Sequence, residues 1–412
     1  MSEAISEEGA AEGYKQVQLG PRRVEIPKGW EKAQLGDLGE YLNGYGFKSS
    51  DWSDEGRPII RIQNLTNSAG EETNYYQGEM KDRYIVHEGD LLVSWSATLG
   101  VFVWDGPEAL LNQHIFKVEP SEKVSDDFLY YLLDQNLDLL EMRVQGSTMK
   151  HIRKSTFEDT FVPLPSLPEQ RRIADILSTV DEQIQQTGEI IKKTKKLKRG
   201  LIQDIFDIET VGEHSKHTSE ISLEGVQKKS LNDYVSVISG VHVKSDKVSD
   251  DETKTPYLTG PDDFDEFGFS VTKFTDDPSK FCEPGDTLVT VKGSGCGKTT
   301  FANKRASISR QLKALRPGMS IDEHYLYYWM QTKQELLSIL AQGTSIPGLS
   351  TSDLTTLRIP VPSIEKQTRI GNVLSNLDTK IHQETQHKEK LKELKRGLME
   401  DLFTGKVRVT TD

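Results

Sequence analysis

Residues 163–207, PLPSLPEQRRIADILSTVDEQIQQTGEIIKKTKKLKRGLIQDIFD, return without a gap as residues 360–404, PVPSIEKQTRIGNVLSNLDTKIHQETQHKEKLKELKRGLMEDLFT, at a constant offset of 197. Pro163/Pro360, Pro165/Pro362, Gln170/Gln367, Arg172/Arg369, Leu177/Leu374, Asp181/Asp378, Ile184/Ile381 and Leu201/Leu398 pair, as do the LKRGL runs that begin at Leu197 and Leu394. A chain that carries so long a segment twice is built to hold two similar things.

The apolar residues of both copies alternate between spacings of three and four. The first gives Ile173, Leu177, Val180, Ile184, Ile191, Leu197, Leu201 and Ile205; the second gives Ile370, Leu374, Leu377, Ile381, Leu391, Leu394, Leu398 and Leu402. This is the seam of a helix packed on one partner helix. Pro168 suits a first helical turn, and the PLP and PVP lead-ins are extended. A helix of about 39 residues at ~1.5 Å per residue is close to 60 Å long and needs a mate. The other copy is the obvious one.

Fainter echoes precede each helix. FLYYLL at Phe128 matches YLYYWM at Tyr325, Gly146-Ser-Thr matches Gly343-Thr-Ser, EGDLLV at Glu88 matches PGDTLV at Pro284, and residues 35–44 echo 231–240. Between these points the halves differ freely, so the frame repeats and the contents do not. VHEGDLLVSWSATLGVFVW and KFCEPGDTLVTVKGSGCGKTTFANK read as strand, glycine-bearing turn, strand, and IIRIQNL as a buried strand. DDFLYYLLDQNLDLLEMRV and DEHYLYYWMQTKQELLSIL each read as one amphipathic helix with an acidic first turn. The fold class is therefore α+β, two globular domains on a helical spacer with an internal pseudo-twofold repeat.

At 412 residues the chain is too long for one core. No apolar run approaches the roughly 20 residues of a membrane span. The start, MSEAISEEGAAEG, lacks the apolar stretch of a signal peptide and reads as a floppy acidic tail. Two cysteines, Cys282 and Cys296, without metal-ligand spacing fit a reducing cytoplasm. The net charge of −13 argues against nucleic acid at first sight. DNA feels local patches, however, and the tail with the linker at 207–225 carries roughly −7 of the total. If such a chain binds DNA, weak binding alone and a basic partner completing the grip are expected.

Several motifs imitate chemistry. GSGCGKT at 293–299 has one residue too few between its first glycine and the Gly-Lys pair for a P-loop, and FANKRASIS after it reads as strand where a P-loop opens a helix. It reads as a glycine-rich hairpin tip carrying Lys292 and Lys298. The E-x-K matches at Glu252 and Glu393 are chance patterns in a charged chain, no methyltransferase signature occurs, and the histidines lack ligand spacing. No catalytic residue and no metal ligand is assigned. The lysine runs at 192–199 and 388–396 are the solvated face of the helical pair.

What remains is a set of polar and basic turn residues. In the first half these are Lys48, Arg57, Arg61, Gln63, Asn64, Lys81, Arg83, Gln113, His114, Lys150, His151, Arg153 and Lys154. In the second they are His242, Lys244, Lys247, Lys292, Lys298, Lys304, Arg305, Arg310 and Gln311. Arg and Lys grip guanine edges, Gln and Asn read adenine, and the others anchor phosphates. On domains without chemistry, such a set points to double-stranded DNA.

PLPSLPEQRRIADILSTVD followed by LKRGLIQDIF, the second ending LKRGLMEDLFTGKVRV, and the phrases IPKGWEKAQLGDL, EGDLLVSW and NQHIFKVEP resemble the specificity subunits of Type I restriction–modification systems. The resemblance covers residues 24–409, with Glu365-Lys366 replacing Pro168-Glu169 as the main departure. It implies two target-recognition domains, each reading one half of a split DNA site, and the proposed helix is long enough to place them about one turn of DNA apart, ~34 Å. It implies antiparallel, coiled-coil-like spacer helices that dock two methyltransferase subunits, with restriction and translocase subunits joining for cleavage. S-adenosylmethionine, ATP and Mg2+ would then sit in the partners, and this chain would be non-catalytic. The frame and docking positions under this resemblance are Pro163, Pro165, Gln170, Arg172, Asp181, Pro360, Pro362, Gln367, Arg369 and Asp378. The division expected is an acidic flexible tail (1–23), first recognition domain (24–165), first helix (166–207), linker (208–225), second recognition domain (226–362), second helix (363–407) and a short tail (408–412). A specificity module of another restriction–modification class, or a coiled-coil scaffold or ATP-dependent enzyme using the glycine loop, are the alternatives.

Overall fold

The Gly-Asp phrases shared by the two halves are tight turns in the computed structural model. Gly89 and Gly285 take φ of +91° and +92°, where a side chain is disfavoured. Asp90 and Asp286 close the turns by accepting the backbone N–H of His87 (2.8 Å) and Glu283 (2.9 Å). The structure describes residues 12–19, 22–66, 73–96, 98–144, 154–206, 223, 225–293, 295–342 and 348–410. It forms two compact units, Met1–Gln185 with Glu389–Asp412, and Gln186–Lys388.

The first unit holds a four-stranded sheet in the order Gly39–Asn43, Ile115–Pro120, Leu91–Ser94, Gly100–Val103. A second sheet runs Tyr75–Tyr76, Arg57–Ile60, Ala109–Leu111, Ile85–Val86, with the middle two strands parallel and Leu110 opposite Ile59. A two-stranded pair, Glu31–Gln34 with Phe161–Leu164, leads into the long helix Leu167–Phe206. The main core joins Trp30, Tyr41, Phe116, Phe128 and Phe157 to Ile173, Ala174 and Leu177 of that helix and to Leu402 and Phe403. A smaller core of Ile60, Val86, Leu92, Leu111 and Ile115 lies under the second sheet.

The second unit repeats this plan. Its first sheet runs Val235–Ser239, Leu312–Pro317, Thr287–Thr290, Thr299–Phe301. Its other sheet runs Val248–Ser249, Phe274–Thr275, Thr255–Leu258, Ala306–Ile308, Phe281–Cys282, again with one parallel pair, Tyr257 opposite Ser307. Lys228–Ser230 pairs with Arg358–Pro360 before the helix Ile364–Thr404. Its core joins Tyr325, Tyr328 and Trp329 to Ile370 and Leu374 and to Ile205 and Phe206.

Each unit thus buries the first part of one long helix and the last part of the other. In the first, Asp181 meets Lys395 and Glu169 meets Arg408, just past the end of the second helix; in the second, Gly188 lies against Lys388 and Lys198 meets Asp378. Rising numbers on one helix meet falling numbers on the other, so the two run antiparallel within each unit. Compactness cuts through both helices, because their apolar stripes belong to the domain cores; the element-by-element division drawn from the sequence is a different cut.

Four details depart from expectation. Residues 14–19 and 22–27 form an antiparallel hairpin with Val17 in the core, so the floppy tail does not extend to residue 23. IIRIQNL is strand only to Ile60; Asn64 Oδ1 accepts the Arg61 backbone N–H at 2.9 Å and turns Ile62–Leu65 into a helical turn. DEHYLYYWMQTKQELLSIL is two helices, Glu323–Gln331 and Gln334–Ala341; between them Thr332 N and Lys333 N donate to the carbonyls three residues back, Trp329 and Met330, at 3.0 Å each. Leu197 and Leu394 are exposed, not seam residues. The inward-facing period runs instead through Thr187, Ile191, Thr194, Lys198 and Leu201 on the first helix, with Thr187 and Thr194 buried. The Gly146 and Gly343 phrases and most of the linker lie outside the described residues.

Candidate nucleic-acid interface

Parallel strands end at the same edge of a sheet, so the loops that follow them emerge side by side. In the first unit the loops after Ile60 and Leu111 are tied by the bond from Asn112 N to Ile60 O (3.2 Å). A third loop joins them: Tyr45 N donates to Leu111 O (2.7 Å) and Gln113 N to Tyr45 O (3.0 Å). Gly44 makes this approach possible, since a Cβ there would collide with the Asn112 carbonyl. The second unit copies the arrangement with Ser309 N to Leu258 O (2.9 Å), Val241 N to Ile308 O (3.0 Å), and Gly240 where a Cβ would strike the Ser309 carbonyl.

In the first unit this edge gathers Lys48, Arg61, Gln63, Asn64, Gln113 and His114. Lys48 and Gln113 are exposed. Arg61 lies over the Trp52 ring (5.3 Å) and bonds Asn74 (3.2 Å), while Asn64 Nδ2 reaches Thr73 (3.3 Å). Arg83 covers Tyr84, whose ring meets Tyr45, so it shares this edge; Lys81 is exposed at the start of the same short turn. The sequence reading missed an aromatic row: Tyr84, Tyr45, Phe47 and Tyr76 touch edge to face at centroid distances of 5.6, 5.0 and 5.5 Å. These residues come from three separate stretches of the chain, so no local signal marks the row.

Arg57 stands at the opposite end of its strand, bonded to Gly78 O (3.0 Å) and near Glu108 (3.6 Å). Lys154 pairs with Glu158 on a short helix under the other core. Neither joins the cluster. Lys150, His151 and Arg153 lie outside the described residues.

In the second unit His242, Arg310 and Gln311 line one cleft of about 690 Å³ together with Tyr257, Thr259 and Lys273. Lys244 and Lys247 are exposed on the adjoining turn. Val291 N donates to Gln311 O (2.7 Å), which sets exposed Lys292 beside that loop. The GSGCGKT segment is a hairpin tip between the strands Thr287–Thr290 and Thr299–Phe301, closed by Thr290 N to Lys298 O (2.9 Å), and no helix follows it. Lys304 and Arg305 precede the strand Ala306–Ile308 at its far end, over Phe269 and Phe281, with Arg305 paired to Glu283 (3.0 Å). They do not join the cleft.

The frame positions have other work. Gln170 is 1% exposed; its Oε1 accepts Ser125 N–H (2.9 Å), and its Nε2 donates to Pro165 O (2.9 Å) and Lys123 O (3.1 Å). Gln367, also 1% exposed, repeats this with Asp322 N–H (3.0 Å), Pro362 O (3.0 Å) and Ser320 O (3.3 Å). Asp181 accepts from Tyr131 Oη (2.8 Å) and faces Lys395 Nζ (2.8 Å); Asp378 accepts from Tyr328 Oη (2.6 Å) and Lys198 Nζ (2.6 Å). Each lysine also lies 5.1 Å from the matching tyrosine ring. Burial, with Asp181 or Asp378 beside each phenol, pushes the Tyr131 and Tyr328 pKa values far up, so both remain donors. Pro163 and Pro360 sit in the strands leading to the helices. Arg172 and Arg369 are exposed on the helices. Among the described residues no acidic, histidine or cysteine cluster is placed to hold a metal ion, and no helix is long and apolar enough to cross a membrane.

A family model described as the Type I restriction modification DNA specificity domain matches this chain twice, over residues 27–196 and 223–393. Among curated proteins the chain is similar to the Type I restriction enzyme MjaVIII specificity subunit of Methanocaldococcus jannaschii, 26% identical over 408 residues, 94% of this chain and 95% of that protein. It is also similar to the Type I restriction enzyme EcoBI specificity subunit of Escherichia coli, 25% identical over 379 residues, 84% of this chain and 79% of that protein. Its fold is similar to the crystal structure of the Type I restriction–modification S subunit from M. genitalium, with a TM-score of 0.66 at 20% identity over 96% of this chain and 99% of that one.

Proposed function

The chain belongs to the Type I restriction–modification DNA specificity family, and from that premise we propose that each unit reads one half of a split, asymmetric DNA site through the loops beside its parallel strand pair. The chain itself performs no chemistry. Two methyltransferase subunits dock on the long helices in the cytoplasm and hold S-adenosylmethionine, and restriction subunits supply the ATP- and Mg2+-dependent steps. One observation carries the reading: the loops follow the same backbone path in both units but carry different side chains. Tyr45 with Gln113 and His114 occupies the place of Val241 with Arg310 and Gln311. Equal frames with unequal loops are what two unequal half-sites require.

Arg172 and Arg369 are the docking side chains in this reading, because both are exposed on the helices, whereas Gln170 and Gln367 are buried at 1% exposure. The test is co-expression with the cognate methyltransferase, followed by single-molecule sequencing for methylated adenine in a split motif. Exchange of residues 26–162 for those of another such chain is expected to change one half of the motif, and a change in both halves refutes independent reading. Arg172→Ala with Arg369→Ala is expected to reduce co-purified methyltransferase severalfold with the motif unchanged; undiminished co-purification removes these residues from docking.

A further inference from the structure

Tyr45 and Val241 follow the two glycines whose Cβ atoms would strike a neighbouring carbonyl, and each donates its backbone N–H to the residue ending a parallel strand, Leu111 or Ile308. The backbone is therefore fixed at both positions. Yet both side chains are hydrophobic and open to solvent, Tyr45 at 40% and Val241 at 43%. A single exposed apolar residue needs no explanation. Two at the same point of two otherwise divergent domains, each on a rigid backbone, do.

We propose that Tyr45 and Val241 are matched specificity-determining residues, each set against base edges in the major groove beside the hydrogen-bonding pair of the adjacent loop. This rests on the proposed reading of DNA by these loops and names the residues that perform it. The neighbouring loop supplies Gln113 and His114 in one unit and Arg310 and Gln311 in the other. The close approach is direct: a Cβ on Gly46 would meet the Gln113 side-chain oxygen, and Gln113 N bonds Tyr45 O. An apolar side chain next to amide or guanidinium donors matches the edge of a thymine-containing step, where a C5 methyl stands beside hydrogen-bonding groups. Phosphate anchoring falls to the exposed Lys48 and Lys244 that follow each apolar residue. The two occupants differ in size and polarity, so the two half-sites differ at the base pair each one touches.

The test uses the full chain co-expressed with its cognate methyltransferase and reads the methylome. Tyr45→Val and Val241→Tyr exchange side chains between matched backbone positions, each already compatible with its new residue; thermal midpoints confirm folding, and Tyr45→Phe and Val241→Ile serve as second variants where an exchange does not fold. Each exchange is expected to alter preference at one base pair of one half-site by about fivefold or more, with the other half unchanged. Wild-type preference in both folded variants overturns the assignment. A wild-type complex that methylates no split motif overturns the broader reading of function, an outcome distinct from variants that merely keep the wild-type motif.

Discussion

The buried amides of Gln170 and Gln367 make the same three hydrogen bonds in the two units, to partners separated by the same 197 residues. The loops at the sheet edge share only a backbone path: an aromatic row in one unit, a cleft lined by His242, Arg310 and Gln311 in the other. The difference separates holding from reading. Bonds inside a low-dielectric frame admit few substitutes, because an orphaned donor or acceptor costs its full desolvation. Side chains facing solvent on a fixed backbone carry no such penalty and are free to differ.

The sharpest way to break this comparison is to cut the frame. Gln170→Ala and Gln367→Ala each strand a backbone N–H and two carbonyls, at an expected cost of about 3 kcal/mol. Urea denaturation of the full chain should show both losses, equal within about 1 kcal/mol; a silent variant in either unit ends the equivalence. Next come the lysines between the helices. Lys198→Ala should cost about 2 kcal/mol and Lys395→Ala about 1 kcal/mol. The order follows from burial, since Asp378 is 18% exposed and bound by both oxygens, whereas Asp181 is 34% exposed. Equal or reversed thermal shifts would show that burial does not rank the two.

The smallest effect is one of pH. Burial, reinforced for Tyr131 by Asp181 and for Tyr328 by Asp378, raises the pKa of these phenols above the ordinary value near 10. Tyr325 and Tyr327 are raised chiefly by burial as well. A raised value means their stabilisation is complete below pH ~10 and is lost as pH climbs through the folded values. Thermal midpoints should be flat from about pH 7 to 9 as far as these groups decide, then fall, less steeply in Tyr131→Phe; a tyrosine-dependent decline already at pH 8 contradicts the assignment.

The repeat, both long helices, the hairpin tip at 293–299 and the strand-turn-strand segments were legible because each is a local pattern with its own period. The seam was less so. Counting apolar residues alone jumps from Ile191 to Leu197, whereas the helix keeps its period by burying Thr194 and directing Lys198 to Asp378. A polar residue with a partner across the seam is invisible to hydropathy. The break at Thr332 was hidden as well, since a switch of the backbone bonds to carbonyls three residues back leaves the apolar rhythm undisturbed. Of the basic turn residues, those on loops after the parallel strands converge, while Arg57, Lys154, Lys304 and Arg305 are drawn off by acidic or aromatic neighbours. Which end of a strand a residue occupies depends on sheet order, and that order is set by pairings far apart in the chain.

The division of the cores through both helices also sets an order of birth. All residues of the second unit exist once Lys388 has been synthesised. The first unit needs Leu402 and Phe403, which pack on Phe128 and the rest of its core, and Arg408, which holds Glu169. As the chain leaves the ribosome from its N-terminus, the domain begun first is therefore the last that can close.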